Sequence, residues 1–317
     1  MFSVVLPVVK SRYFEAALKS VLNQDYRDFE LIVVDNDADE EVQAILGRNQ
    51  DERMRSIRHE KQIPIIENWN KCLSYATRQY FVLFSDDDVM QPGYLEAVSQ
   101  VIRANPDSKM IHTRVRMFTG NNKLRGLSAI APDVEDGINY VYETFCKGRS
   151  QLISDFVWQR EFFLAQSGYE SLEGAWGSDE VTTYKMAIAA GTVHYIPEVM
   201  VWWRHSEINF TNKMSYRAQY SANLDFVRWM SGFIEKLELQ YGTTDQLKLI
   251  QKKLPLNFQA RMGNCMQNLG MSRSFLAPIW FKLTNRNQTP TLSWMTVMRA
   301  IVGVLHKKLT NVKHYRG

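Results

Sequence analysis

The sequence predicts an α/β protein: a Rossmann-like, mixed but mainly parallel sheet flanked by helices, with a helical C-terminal extension. Three observations predict it. The first third of the chain alternates strand-like and helix-like patterns. Its strands are continuously apolar, as strands covered on both faces are. Beyond about residue 210 the pattern is mostly helical.

In order along the chain, FSVVLPVV (2–9) is a short β-branched run and reads as the first strand. YFEAALKSVLNQ (13–24) has helical spacing at Phe14, Leu18, Val21 and Leu22. FELIVVDN (29–36) is again a strand, EEVQAIL (40–46) a helix, MRSIRH (54–59) a short strand and IENWNKCLSYATR (66–78) a helix. The strand beginning YFVLF (80–84) follows, and then PGYLEAVSQVIRAN (92–105), a helix with proline in its first turn. From about 119 to 150 the pattern breaks up and reads as a flexible loop region. DEVTTYKMAIAAG (179–191) reads as a helix and TVHYIPEVMVWW (192–203) as a strand. These elements predict two regions, 1–210 and a basic helical 211–317.

A chain of 317 residues with 45% hydrophobic and 23% charged side chains can bury a sizeable core and is not disordered on the scale of a domain. Its three cysteines, Cys72, Cys146 and Cys265, are far apart, with no C-x-x-C spacing. That argues against a disulfide framework and a zinc site, and for a reducing compartment. The opening MFSVVLPVVK lacks the basic and small-residue features of a signal peptide. No stretch reaches the ~18 uninterrupted apolar residues of a spanning helix, so a cytoplasmic location is expected.

Two of the predicted strands end in acid-rich segments, VVDND and FSDDD. In parallel sheets ligands bind at the carboxyl ends of the strands, so both would face one crevice. The three adjacent carboxylates of Asp86, Asp87 and Asp88 repel one another, and burial would raise their pKa values unless a cation compensates. Mg²⁺ or Mn²⁺ is the simplest compensator, because it retains positions for substrate phosphate oxygens. The competing reading is a solvated acidic turn before the helix at Pro92. DNDADE (35–40) begins like a calcium loop but has Glu40 where glycine is required and Leu46 at the twelfth position. Neither a G-x-G-x-x-G after the first strand nor a G-x-x-x-x-G-K-[ST] is present, which argues against dehydrogenases and P-loop enzymes.

SVVLPVVK, SVLNQDYRDFELIVVDNDADEEV and NWNKCLSYATRQYFVLFSDDDVMQPGYLE, in this order, resemble the family 2 glycosyltransferases of the GT-A fold. The matching parts are Pro7, Gln24 through Asp35, and Asp86 to Asp88 with Pro92. The resemblance covers residues 1–105 and resumes from about 151 to 210. It implies that Pro7, Asp35, Asn36, Asn70 and Asp86 bind the nucleotide of a sugar-nucleotide donor. Asn36 stands where the family usually has Asp, and Trp69 where Arg is common. Ser85 replaces the first acid of D-A-D-D, which moves the expected metal ligand to Asp87, with Asp88 close by. GSDEVTTYKMAIAAGTVHYIP resembles the block that carries the catalytic base, Asp179 or Glu180, although Ser178 and Asp179 would also serve as a helix cap. WWRHSEINF (202–210) resembles an element whose Arg204 and His205 contact the donor diphosphate or the metal.

From Lys248 onward the chain carries twelve Lys and Arg and no Asp or Glu, leaving a net −8 on the preceding 247 residues. Trp294, Met298, Ile301, Leu305 and Val312 fall near one helical face, with Arg299, Lys307, Lys308 and Lys313 largely elsewhere. A basic amphipathic helix reads as binding an anionic membrane surface. The competing reading is a helical bundle with a basic solvated face; no nucleic-acid motif accompanies the charge. The expectation is an inverting, Mn²⁺- or Mg²⁺-dependent hexosyltransferase, peripheral on the inner face of the cell membrane. Its donor would be a nucleotide sugar, with UDP the usual nucleotide, and its acceptor a saccharide or lipid-linked saccharide in surface-polysaccharide biosynthesis. The alternative is a non-catalytic sugar-nucleotide or saccharide-binding partner protein.

Overall fold

The first apolar run forms β1 (Phe2–Val8), which pairs in parallel with β2 (Phe29–Asp35). Beyond β2 lies β3 (Met54–Arg58), also parallel, and on the other side of β1 lies β4 (Tyr80–Leu83). The computed structural model describes residues 1–205, 214–285 and 291–314. The chain divides into two units, Met1–Ser171 with Ser178–Asn209, and Leu172–Gly177 with Phe210–Gly317.

In the first unit the helices α1 (Phe14–Leu22), α2 (Glu40–Arg48) and α3 (Ile65–Tyr75) connect the parallel strands. α1 buries Phe14, Ala17, Leu18 and Val21 at helical spacing against the sheet. After β4 come the two-residue β5 (Val89–Met90), α4 (Tyr94–Ala104) and the long β6 (Met110–Thr119). Then follow β7 (Leu124–Leu127), β8 (Val134–Asp136), α5 (Gly137–Lys147), β9 (Phe156–Gln159), α6 (Arg160–Ala165), α7 (Ser178–Ala190) and β10 (Thr192–His205). The sheet order is β3-β2-β1-β4-β9-β6-β10-β5, with β7 on β6 and β8 on β10. β9 runs antiparallel between β4 and β6, and β10 is parallel to β6, so the sheet is mixed. Phe2, Val4, Leu6 and Val8 of β1 are fully buried among Leu31, Val33, Val82 and Phe84. Burying a side chain of this size is worth about 1.5–3 kcal/mol.

The region expected as a flexible loop, 119–150, instead holds β7, β8 and α5. The Asp136 carboxylate caps α5 by accepting from the Asn139 N–H, and Gly148 closes it at φ 77°. Gly137 lets α5 lie on α7: a Cβ there would stand 2.3 Å from the Ala187 carbonyl oxygen. β6 is hard to read in sequence because polar His112 and Thr113 are buried within it, interrupting the apolar signal.

The second unit is helical: α8 (Tyr216–Tyr241), α9 (Asp245–Ser272), α10 (Ala277–Thr284) and α11 (Trp294–His314). Ser215 and Thr244 cap α8 and α9 by accepting from the Ala218 and Leu247 N–H groups. The core here joins Met262, Met266 and Leu269 of α9 to Val297, Ala300 and Ile301 of α11. The expected single apolar face of the last helix is therefore divided. Ile301 is buried, whereas Trp294, Met298 and Leu305 are exposed; the Val312 side chain lies outside what is described. No helix among the described residues is long and apolar enough to cross a membrane.

Candidate active site

The sheet brings the carboxyl ends of β1, β2 and β4 side by side. Val8 stands opposite Asp35, and the β1–β4 ladder ends at Val5 opposite Leu83. Pro7 follows that point, so its missing N–H removes no ladder bond to β4. Phe84 donates to the Val5 carbonyl, 2.8 Å, and the chain then turns through Ser85 to Asp88.

The three carboxylates of that turn have different surroundings. Asp86 accepts from the Val9 N–H at 3.0 Å and from the Lys10 N–H. Burial, with Asp87 beside it, pushes its pKa up to about 7. Asp87 is half-buried, and its carbonyl accepts from Arg204 Nε at 2.8 Å. Asp88, expected beside Asp87 as a second metal ligand, is fully buried. One of its oxygens accepts from the Ser154 hydroxyl at 2.6 Å and the other from the Arg204 N–H at 2.9 Å. Burial and the adjacent Asp87 hold its pKa well above the ordinary carboxylate range. In this arrangement Asp88 anchors the turn, and Asp86 and Asp87 are its solvent-accessible members.

The expected nucleotide residues are in large part occupied in shaping the crevice. Asp35, fully buried, accepts from the Ala38 N–H at 2.7 Å and Gln43 Nε2 at 2.6 Å, with Arg58 Nε at 3.5 Å. The Asn36 amide pairs with Ile63 in both directions, each at 3.0 Å, and its oxygen lies 3.1 Å from His59 Nδ1. It thereby fastens the 59–63 loop beside the end of β2. Asn70 makes a similar bidentate clamp: Nδ2 donates to the Tyr169 carbonyl at 3.0 Å and Oδ1 accepts from the Tyr169 N–H at 2.8 Å. Gly168 before it sits at φ +71°, and a Cβ there would come 2.4 Å from Asn70 Oδ1. Asn36 and Asn70 thus both hold backbone of neighbouring loops.

Asp179 and Glu180 occupy the first turn of α7, where the helix dipole favours acids. Asp179 lines a recess with Gln151, Ile153, Trp158, Tyr169 and Thr183, and Glu180 does not line it. The tie between this recess and the aspartate turn is the short segment 151–155. Gln151, Leu152 and Ile153 form part of the recess wall, while the Ser154 hydroxyl accepts from the Ser85 N–H at 3.0 Å and donates to Asp88. Asp155, fully buried, keeps Oδ1 without a hydrogen-bond partner, and burial holds its pKa well above the usual range.

Arg204 is buried, its guanidinium 4.2 Å from the Tyr13 ring centroid and 4.4 Å from that of Phe118. With its bonds to Asp87 and Asp88 it braces the turn. His205 is exposed at the end of β10, its ring 5.8 Å from that of Trp203. Residues 206–210 of the same sequence element lie outside the described residues.

Among the described residues no group of three or more His, Cys, Asp and Glu side chains is placed to hold a metal ion. The aspartate turn nonetheless fits a hard divalent ion. Its donors are all oxygen, and Asp86 is raised to about 7 by burial and by a neighbouring carboxylate, both of which a cation would offset. Sequence reasoning missed Ser154, Asp155 and His59. The polar Ser154–Asp155 pair inside the apolar run LISDFVW was the available signal. His59 showed none; its Nε2 is buried without a partner beside Asn36, and burial lowers its pKa.

Comparison with known proteins bears on the family and the fold. Residues 3–162, half of the chain, match the glycosyl transferase family 2 profile. An uncharacterized protein y4gI of Sinorhizobium fredii is 29% identical over 216 residues, 64% of this chain and 22% of that protein. The GalNAc(5)-diNAcBac-PP-undecaprenol beta-1,3-glucosyltransferase of Campylobacter jejuni is 30% identical over 103 residues, 31% of this chain and 33% of that enzyme. The chain spans between 22% and 40% of the lengths of the curated relatives it matches. Among solved structures, S. aureus TarS 1–349 in complex with UDP-GlcNAc superposes with a TM-score of 0.56 at 14% identity, covering 98% of this chain and 92% of that one. The mannosyltransferase PcManGT of Pyrobaculum calidifontis, in complex with GDP-Man and Mn²⁺, gives 0.55 at 15% identity, covering 97% and 87%. The mixed sheet, the acidic strand ends and the profile match together show that the chain has the GT-A fold and belongs to glycosyl transferase family 2.

Proposed function

We propose that this chain is a metal-dependent, inverting glycosyltransferase that moves a sugar from a nucleotide-sugar donor to a saccharide or lipid-linked saccharide acceptor. The observation that carries this reading is segment 151–155, which holds the aspartate turn with one residue and walls the Asp179 recess with its neighbours. A donor-diphosphate seat and a general base are thereby tied to one short stretch of backbone. Asp179 takes the proton of the acceptor hydroxyl as that oxygen attacks the donor sugar. Asp87 holds the divalent ion, Mn²⁺ or Mg²⁺, with Asp86 on the donor side and Asp88 fixing the turn from beneath. When bound, the ion supplies Lewis-acid stabilisation of the departing diphosphate. Arg204 braces the turn, and His205 is the exposed group for the diphosphate.

Support for the donor class comes from the UDP-GlcNAc and GDP-Man of the two structural neighbours, with UDP the reading carried by the sequence. The lipid-linked acceptor is supported by the undecaprenol-linked substrate named for the Campylobacter relative. In this reading 1–210 is the catalytic domain, 211–317 brings it to the inner membrane surface, and the product enters surface-polysaccharide biosynthesis.

The test is a panel of nucleotide sugars assayed for donor hydrolysis and transfer with and without Mn²⁺. Asp179→Asn is expected to lower transfer by about a hundred- to ten-thousandfold while leaving donor binding intact. Asp87→Asn is expected to abolish the Mn²⁺ dependence. Donor hydrolysis and transfer that persist in both variants would overturn the residue assignment, and no turnover of any donor by the unmodified chain would leave a sugar-nucleotide-binding protein.

A further inference from the structure

We infer that the outer faces of α10 and α11 form one apolar, basic surface that seats on an anionic lipid monolayer. The inference deepens the membrane part of the function proposed above and rests on it only for where the acceptor lies.

The amphipathic face legible in sequence is only in part the one the fold leaves open. α11 has two apolar stripes. Val297, Ala300, Ile301 and Val304 are buried, packed toward α9 and α10. Met295, Met298, Val302 and Leu305 follow one another at intervals of three, four and three residues, which is one face of a helix, and all four are exposed. Met295 is 61% exposed and Val302 63%, values that exclude a partner among the described residues of the second unit. α10 packs on both α9 and α11 and adds Trp280, 65% exposed, and Leu283, 50% exposed. Soluble surfaces rarely carry apolar side chains in such continuity without something that covers them.

Charge selects the occupant. Every Lys, Arg, Asp or Glu after Asp245 is basic, and Arg273, Arg299 and Lys307 are exposed around these helices. An acidic partner surface is required, and a second copy of the same all-basic face would be repelled. Trp280 and Trp294, each with an apolar ring and a single N–H donor, have the character of side chains that settle at a headgroup boundary. No described helix is long and apolar enough to span a bilayer, so α11 lies in the plane of the interface with its outer stripe inserted.

The experiment is co-sedimentation of the full chain with two kinds of vesicle, phosphatidylcholine alone and phosphatidylcholine with an equal part of phosphatidylglycerol. Substrate is absent. The chain is expected to bind the mixed vesicles and not the neutral ones. Met298→Glu with Val302→Glu, both at exposed positions, is expected to weaken that partition at least about tenfold. Arg299→Gln with Lys307→Gln, which leaves the apolar stripe intact, is expected to weaken it several-fold. Equal binding to both vesicle types, or unchanged partition in either variant with wild-type circular dichroism, would overturn the inference. A dimer in light scattering that Met298→Glu with Val302→Glu makes monomeric would also overturn it, because a second copy would then cover the stripe. Donor hydrolysis measured without vesicles separates the two readings: hydrolysis without vesicle binding removes only this inference, and vesicle binding without hydrolysis removes only the catalytic one.

Discussion

The Ser154 hydroxyl ties its own segment to a turn 66 to 69 residues earlier, accepting from the Ser85 N–H and donating to the buried Asp88 carboxylate. Ser154→Ala leaves a buried oxygen and a backbone N–H each short of a partner, a loss of about 1–3 kcal/mol. The expected outcome is a lower midpoint in denaturant together with weaker Mn²⁺ binding by titration calorimetry, because the turn that carries Asp87 is no longer held. His112 gives a second prediction. It is buried among Tyr140, Phe156 and Tyr195 with Nε2 unpartnered; burial, then the charge of Arg149, lowers its pKa to about 3 from the ordinary 6.5. The unfolded chain binds the proton first, so this residue's contribution is present above pH 6.5 and is lost as pH falls through about 3. His112→Phe keeps the aromatic packing and is expected to reduce the stability lost between neutral and acid pH by a few kcal/mol, on the order of the shift itself. Denaturant unfolding of both proteins at two pH values measures it.

At the scale of elements, α5 and α7 lie close because Gly137 has no side chain. A methyl at that point would meet the backbone of Ala187 and Ile188 at 2.3 to 2.8 Å, and backbone has no rotamer by which to yield. Gly137→Ala is expected to destabilise the first unit by about 1–3 kcal/mol, read as a fall in melting temperature. Because α7 carries Asp179 in its first turn, transfer activity is expected to fall with it, more than donor binding does. The α5 helix carries a helical signal that the loop reading of 119–150 did not use. Asp136 is a good cap, and Tyr140, Val141, Thr144 and Phe145 are buried at helical spacing. Its neighbours Asp133, Asp136 and Gly137 resemble turn residues, and that local signal outweighs the periodicity of an eleven-residue helix. β6 shows the opposite failure: its partners β9 and β10 bury His112 and Thr113, which no local pattern marks as interior.

For the whole molecule, ligands that bind only the folded chain raise its stability by mass action. A nucleoside diphosphate with Mn²⁺ at a hundredfold over its dissociation constant contributes about 2.7 kcal/mol. A rise in melting temperature of several degrees with UDP or GDP and Mn²⁺ is expected, abolished by EDTA and by Asp87→Asn. Which of the two nucleotides gives the larger rise identifies the donor class. The charge asymmetry belongs to the same scale. The net −8 of the first 247 residues disfavours their approach to an anionic surface, while the +12 that follows confines such attraction to the second unit.

The sequence by itself determined the alternation of elements in residues 1–105, the apolar strands of a covered parallel sheet and the acidic ends of two of them. These are local or periodic properties, and periodicity survives without knowledge of distant neighbours. Only the tertiary structure decided which of the three aspartates turns inward, because that depends on Ser154 and on the Arg204 backbone, 66 and 116 residues away from Asp88. It likewise decided that Asn36 and Asn70 hold backbone, since their partners Ile63 and Tyr169 lie 27 and 99 residues on. In the last helix the sequence pattern pointed to a single apolar face. Packing against α9 chose which stripe is buried, and thereby which remains to meet a surface.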